Sequence, residues 1–261
     1  MPGHEDDLAL LVGAARAAGE IARRHFGDGP KSWDKGDGQG PVSEADLEVD
    51  ALLKARLLAA RPDYGWLSEE TADSPGRLEK DSIFIIDPID GTRAFLDGQT
   101  GFAHALAVVT QGRPVAAVVY LPMLGHIYSA ALGMGAYIGQ QRLRVTARPQ
   151  LDGARVLASR AHLGPEHWPG GLCAITRHFL PSLAWRMALV AEGQFDAMLT
   201  LRPAWHWDIA AGALLVQEAG GHVTAGAGEA LQFNTPNPLS EGVIAAGPAL
   251  HSEILRRRGR G

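Results

Sequence analysis

The chain has 261 residues, 46% of them hydrophobic and 20% charged, with a net charge of −5 and a single cysteine, Cys173. That length admits two small domains or one large one, with ample apolar material for a core. The acidic balance gives no basic surface for a nucleic-acid polymer or a membrane, and one cysteine excludes an intramolecular disulfide and a Cys-rich metal site. The opening residues, Met-Pro-Gly-His-Glu-Asp-Asp, lack the basic start and apolar stretch of a secretion signal. No apolar run approaches the roughly 20 residues that span a bilayer. The expectation is a soluble, cytoplasmic protein.

Leu8, Leu11, Ala15, Ala18 and Ala22 recur at helical spacing, so Asp6 to about Phe26 reads as an amphipathic helix. Gly27 to Pro41, rich in glycine and charge, reads as a loop. Ser43 opens a second helix with Leu47, Ala51, Ala55 and Leu58 as its apolar face, ending before Arg61-Pro62. Ser82-Ile83-Phe84-Ile85-Ile86 is a short β-branched run suited to a buried strand. Two apolar runs between Phe102 and Leu121 flank Gln111-Gly112-Arg113-Pro114 and predict a hairpin, with further strands at Ile127–Leu132 and Leu143–Val145. The rhythm then changes to alternation. Strands are predicted at Val156–Ala158, Asp196–Leu201 and Val243–Ala245, and helices at Leu183–Glu192 and Ile209–Ala219. This predicts an α+β first half, 1–147, and an α/β second half, 148–261. Arg256-Arg257-Arg258 with Arg260 reads as a frayed terminal tail rather than a binding patch.

The chemistry concentrates where carboxylates meet predicted boundaries. Asp87 closes an apolar strand, and Asp90 follows three residues on, before a Gly91-Thr92 pair that can open a helix. Two carboxylates so spaced, with Pro88 stiffening the turn, can converge on a divalent cation, and the Ile89 carbonyl is available as another oxygen ligand. Hard cations such as Mg²⁺ prefer such donors. The N–H groups of Gly91 and Thr92 at a helix N-terminus favour a phosphate. The plainer alternative is a polar turn with Asp90 as an N-cap, and by themselves these residues weigh equally for both. Glu69-Glu70 after a hydrophobic stretch, and Asp208 at the start of an apolar helix, add acids whose grouping without a cation would be costly.

The segments Glu69-Glu70, Asp87-Pro88-Ile89-Asp90-Gly91-Thr92, Trp207-Asp208-Ile209-Ala210-Ala211-Gly212 and Glu218-Ala219-Gly220-Gly221 together resemble the inositol monophosphatase superfamily in order and rough spacing. The resemblance implies a layered αβαβα sandwich and a Mg²⁺-dependent phosphomonoesterase that needs no covalent phosphoenzyme. It implies two or three Mg²⁺ ions, inhibition by Li⁺, a small-molecule phosphate ester as substrate, and a monomer or homodimer. By position, Glu69, Asp87 and the Ile89 carbonyl resemble the ligands of one metal, and Asp87, Asp90 and Asp208 those of a second. Thr92 resembles the residue that orients the attacking water, partnered by Asp46. The early segment Lys35-Gly36-Asp37-Gly38-Gln39-Gly40-Pro41-Val42-Ser43-Glu44-Ala45-Asp46 departs from the family pattern by one extra residue, Gly40 for Ser and Ser43 for Thr. Ser43 and Asp46 also stand at capping-box spacing, and both roles can hold at once.

Substrate choice is read from other positions. Ser159-Arg160-Ala161-His162 resembles a segment of the CysQ-type 3′(2′),5′-bisphosphate nucleotidases, and Arg186 stands where those enzymes carry a Lys. Arg186, Ser159 and His162 are therefore candidate substrate contacts, though an Arg on a helix is more often solvated. Leu201 occupies the position, seven before Asp208, where inositol-specific relatives carry a Glu. Trp205 and Trp207 are candidates to flank an adenine ring, or simply core tryptophans. The favoured expectation is removal of the 3′-phosphate from adenosine 3′,5′-bisphosphate. The alternatives are an inositol or broad sugar-phosphate phosphatase and, remotely, a phosphate sensor without catalysis, which loss of a metal acid would favour. No metal acid is missing.

Overall fold

A computed structural model describes residues 3–27, 29–36 and 40–259. Asp37, Gly38, Gln39 and Arg260, quoted above, lie outside them. Helix α1 (His4–His25) buries Leu11, Ala15, Ala18 and Ala22, and carries acids in its first turn and bases in its last, in accord with the helix dipole. The glycine-rich segment after it is not only a loop. β1 (Ser32–Asp34) and β2 (Pro41–Ser43) pair antiparallel, closed by Lys35 N–H donating to Gly40 O at 3.0 Å. Helix α2 (Glu44–Ala60) buries Ala45, Val49, Leu53 and Leu57, one stripe over from the face predicted, while Leu47 is exposed. This helix is apolar on more than one side, so periodicity cannot choose the face. The choice follows Asp46 and Asp50, which turn inward with the buried stripe.

β3 (Gly65–Ser68) pairs parallel with β4 (Ser82–Asp90), and α3 (Thr92–Leu96) is a single short helix. β5 (Ala103–Thr110) and β6 (Arg113–Leu121) form the predicted hairpin. Its turn is Gln111-Gly112, both at positive φ as a two-residue type I′ turn demands. Pro114 sits inside β6 beside a register shift at Val108/Val109, where a missing N–H is tolerated. β7 (His126–Ala131), β8 (Gly135–Ile138) and β9 (Gln141–Arg142) complete a seven-stranded sheet in the order β3-β4-β5-β6-β7-β8-β9. The strand expected at Leu143–Val145 is instead a connecting segment. Leu143 N–H bonds back to Ala136 O, while Val145 N–H turns away to Ala219 O.

The second half supplies β10 (Arg155–Leu157), β11 (Thr176–His178), α4 (Leu183–Ala191), β12 (Ala197–Thr200), β13 (Ala204–Trp205) and α5 (His206–Glu218). It ends with β14 (His222–Thr224), β15 (Leu239–Ser240), β16 (Val243–Ala246) and α6 (Pro248–Arg257). The mixed five-stranded sheet runs β11-β10-β12-β16-β14. Arg256 and Arg257 are not a frayed tail: both lie in the last turn of α6 and pair with Glu253. Pro248 at the first helical position is the start signal that marks this helix.

Alternation along each strand sets the layers. Phe84, Ile86, Leu106 and Val108 face α1 and α2, whereas Ile83, Ile85, Ala105 and Ala107 face α4 and α5. The other side of α4 and α5 packs on Met198, Val243 and Ala245 of the second sheet, whose outer residues Leu199, Ile244 and Ala246 meet Leu250 and Ile254 of α6. The result is the layered αβαβα sandwich. Both helices of the central layer come from the second half of the chain, and they pack on strands of both sheets.

Candidate active site

The site begins with a flaw in β4. Against β5, Asp87 lies opposite Ala105 and Asp90 opposite Ala103, so β4 holds one residue more than its partner. In an unbroken strand, residues three apart point to opposite faces. The bulge turns both carboxylates into the same cavity. Pro88 has no N–H to miss from the ladder, and its carbonyl accepts from His104 Nδ1–H, a neutral ring whose burial lowers its pKa to about 4. Gly91 then turns the chain into α3 at φ 104°, a conformation that glycine adopts without strain.

Asp208 reaches the same place from the first turn of α5, and carboxylate oxygens of Asp87, Asp90 and Asp208 lie within 4.8 Å of one another. Asp90 Oδ2 accepts from Ser182 Oγ–H at 2.7 Å and Ala184 N–H at 2.6 Å, so the N-terminus of α4 fixes one oxygen and leaves the other to the cavity. Burial, opposed by those bonds, moves the Asp90 carboxyl up to about 6. Burial and the neighbouring acids hold Asp87 and Asp208 well above the usual carboxylate range. Asp87 Oδ1 is buried with no hydrogen-bond partner. An orphaned carboxylate oxygen among converging acids, in an all-oxygen donor set, fits a hard divalent cation.

Glu69 lines the same cavity, just past the end of β3, and its Oε1 accepts from Lys35 Nζ at 2.8 Å. Lys35 also reaches Glu70 Oε1 at 2.6 Å. Burial raises the Glu70 carboxyl to about 7 against the Lys35 bond, with the Glu69 charge adding to the rise. Asp46 divides its two oxygens. Oδ2 takes the N–H of Ser43 at 2.8 Å in a capping box, while Oδ1 takes the Thr92 hydroxyl at 3.0 Å. Thr92 Oγ1 also lies 3.1 Å from the Ile89 carbonyl. Asp50, one turn along α2 from Asp46, accepts from Ser68 Oγ at 2.5 Å and Thr71 Oγ1 at 2.6 Å, clamping the two residues that bracket Glu69-Glu70.

The cavity, about 680 Å³, runs from these acids to a wall carrying Arg186, Arg202, Trp205 and Trp207. Arg186 is not a solvated helix residue. It is buried, its guanidinium donates to the Leu180 and Pro181 carbonyls, and it lies over the Phe179 ring at 4.3 Å. Trp205 and Trp207 stack on each other, with centroids 4.7 Å apart and planes 10° apart, so they do not clamp a ring between them. Ser159 and His162 do not line this cavity; His162 is buried in a 3₁₀ turn over Arg160–Leu163. Leu201 packs on the core beneath α6.

The fold brings Asp46, Thr92, Asp87, Ile89, Asp90, Gly91, Glu69, Asp208 and Arg186 together around the cavity. Asp50, Ser182 and Lys35 join them with roles not predicted from the sequence. Asp50 carried a signal, since it stands four residues after Asp46 and shares its helix face. Ser182 carried one too, as an N-cap residue before an apolar helix.

Fold and site together place the protein among the phosphomonoesterases built on this sandwich. It belongs to the inositol monophosphatase family, whose profile matches residues 4–260. The chain is 35% identical to an inositol-1-monophosphatase of Rhizobium meliloti over 268 residues, covering 95% of this chain and 94% of that protein. It is 30% identical to the Nus factor SuhB of Salmonella typhimurium, covering 95% and 94%. Among solved structures, Thermotoga maritima IMPase superposes with a TM-score of 0.83 at 28% identity, covering 97% of each chain. Among the described residues, no helix is long and apolar enough to cross a membrane.

Proposed function

We infer that the protein hydrolyses the monophosphate ester of a polyol, with inositol 1-phosphate the first candidate, in a Mg²⁺-dependent reaction. The observation that carries this is the convergence of Asp87, Asp90 and Asp208 within 4.8 Å, with a buried Asp87 oxygen left unbonded. The relatives named inositol-1-monophosphatase support the polyol. Glu69, Asp87, Asp90, Asp208 and the Ile89 carbonyl would hold Mg²⁺. When bound, Mg²⁺ supplies Lewis acidity that lowers the pKa of a water and offsets charge on the leaving oxygen.

The chain's own groups do the rest. The Thr92 hydroxyl has one proton, and donating it to Asp46 leaves oxygen lone pairs to accept from an attacking water. Asp46, whose carboxyl is raised by burial against its hydrogen bonds, is the proton acceptor at the end of that path. The N–H groups of Gly91 and Thr92 orient the phosphate oxygens. Lys35 balances the charge of Glu69 and Glu70.

A second reading, a 3′(2′),5′-bisphosphate nucleotidase, is favoured by Arg186 and Arg202 together on the cavity wall, where a second phosphate would find paired guanidinium groups. Ser159 and His162, which do not line the cavity, lend it no support. Phosphate release with Mg²⁺ from inositol 1-phosphate and from adenosine 3′,5′-bisphosphate decides between the two. A higher kcat/KM for inositol 1-phosphate supports the first reading, and a higher value for the nucleotide supports the second.

A further inference from the structure

We propose that Trp205, backed by Trp207, is a flat platform for the ring of the leaving alcohol, so that the site selects phosphomonoesters of cyclic alcohols by ring face rather than by hydroxyl pattern. The inference rests on the phosphatase reading above and adds to it the class of alcohol. Trp207 is partly buried and packed on the central core, and Trp205 lies on it nearly parallel. One face of Trp205 is covered by its partner, yet the residue is 38% exposed and lines the cavity, which leaves indole surface available to a ligand. A tryptophan left exposed at the mouth of a polar cavity forgoes burial that the core could give it.

Its backbone is fixed independently of its ring. Trp205 pairs with Leu239 in a two-stranded ribbon, and the next N–H, of His206, donates to Pro238 O at 2.9 Å. Trp205 is the N-cap of α5 and Asp208 stands in the first turn of that helix, and both line the cavity. A ring laid on the indole would therefore share one cavity with the acid cluster, within which its ester phosphate can reach the acids. Leu201 does not line the cavity; it packs inward on the core beneath α6 and offers a ring hydroxyl no acceptor. Ring hydroxyls lose a directional partner there, and stacking, which tolerates any ring with a flat or C–H face, supplies the affinity instead.

The test compares kcat/KM for inositol 1-phosphate with that for acyclic glycerol 2-phosphate in wild type, Trp205→Ala and Trp205→Phe. The ring-to-acyclic ratio is expected to fall about tenfold in Trp205→Ala, through KM, and to be largely restored in Trp205→Phe. An unchanged ratio in Trp205→Ala, or equal losses for both esters, overturns the platform. Calorimetric binding of both esters to Asp90→Asn, with and without Trp205→Ala, separates the two claims. Binding of the ring ester weakened about tenfold by Trp205→Ala supports the platform even if no ester is turned over, which would defeat only the hydrolytic reading. Equal weakening of both esters by Trp205→Ala in that background overturns the platform and leaves the hydrolytic reading standing.

Discussion

Single carboxylates in this site divide their oxygens between structure and chemistry. Asp90 gives Oδ2 to the start of α4, and Asp46 gives Oδ2 to its own helix cap and Oδ1 to Thr92. Asp50 spends both oxygens on holding the residues around Glu69-Glu70. Asp50→Ala leaves two hydroxyls without an acceptor and frees the segment bearing Glu69. Supporting residues of this kind are worth roughly 10–100-fold in metal affinity. Calorimetric titration with Mg²⁺ should therefore show weakening of that order, and unchanged affinity would remove Asp50 from the site. The acids were legible as residues because Asp-Pro-x-Asp-Gly-Thr combines a strand end, a proline and a helix start. The bulge that makes Asp87 and Asp90 point the same way was not legible, since it depends on where β5 pairs. The tryptophan pair was legible as a feature but not as a stack, because the path of β13 into α5 sets the ring planes.

The elements that deliver the acids must stay in close contact. Gly212 of α5 faces Met187 of α4, and a Cβ there would lie 2.6 Å from the Met187 Cβ. Neither backbone can yield without moving the other helix. Gly212→Ala should cost about 1–3 kcal/mol of stability, the usual penalty for overpacking. Because α4 fixes Asp90 and α5 carries Asp208, it should also weaken Mg²⁺ binding. Thermal unfolding with and without Mg²⁺ checks both effects, and a wild-type midpoint would show that the interface has room. Long periodic elements such as α1 and the β5–β6 hairpin were readable from spacing and turn residues. α2 was readable as a helix but not in its orientation, since Leu47 and Leu58 offered a second apolar stripe. The ribbon strands β1, β2, β13 and β15 are two or three residues long and exist through pairing rather than pattern.

Across the whole molecule, one core joins both halves, with Ile83 and Ile85 of β4, Leu214 of α5 and Val243 of β16 in a single cluster. Buried histidines tie this packing to pH. Burial lowers His104 and His251 to about 4, so both are neutral in the folded protein at pH 7. The unfolded chain takes up these protons from about pH 6.5 downward, before the folded one does, so the histidine contribution to stability falls between about pH 6.5 and 4, opposed by the raised carboxyls of Glu70 and Asp90, which the folded chain protonates first. Relative to its stability at pH 7, His251→Gln should be more stable than wild type at pH 4 in thermal unfolding, and a pH dependence equal to wild type would mean His251 is solvated. The central claim, that an acid cluster at the end of β4 runs a Mg²⁺-dependent phosphatase, is most directly tested by phosphate release from inositol 1-phosphate. Wild type and Asp90→Asn, which removes a charge and almost no volume, should be compared in Mg²⁺ and in chelator. Turnover is expected from wild type only with Mg²⁺, and about 100-fold or more below it in Asp90→Asn at an unchanged unfolding temperature. Near-native turnover by Asp90→Asn, or equal wild-type rates in Mg²⁺ and chelator, would contradict the account.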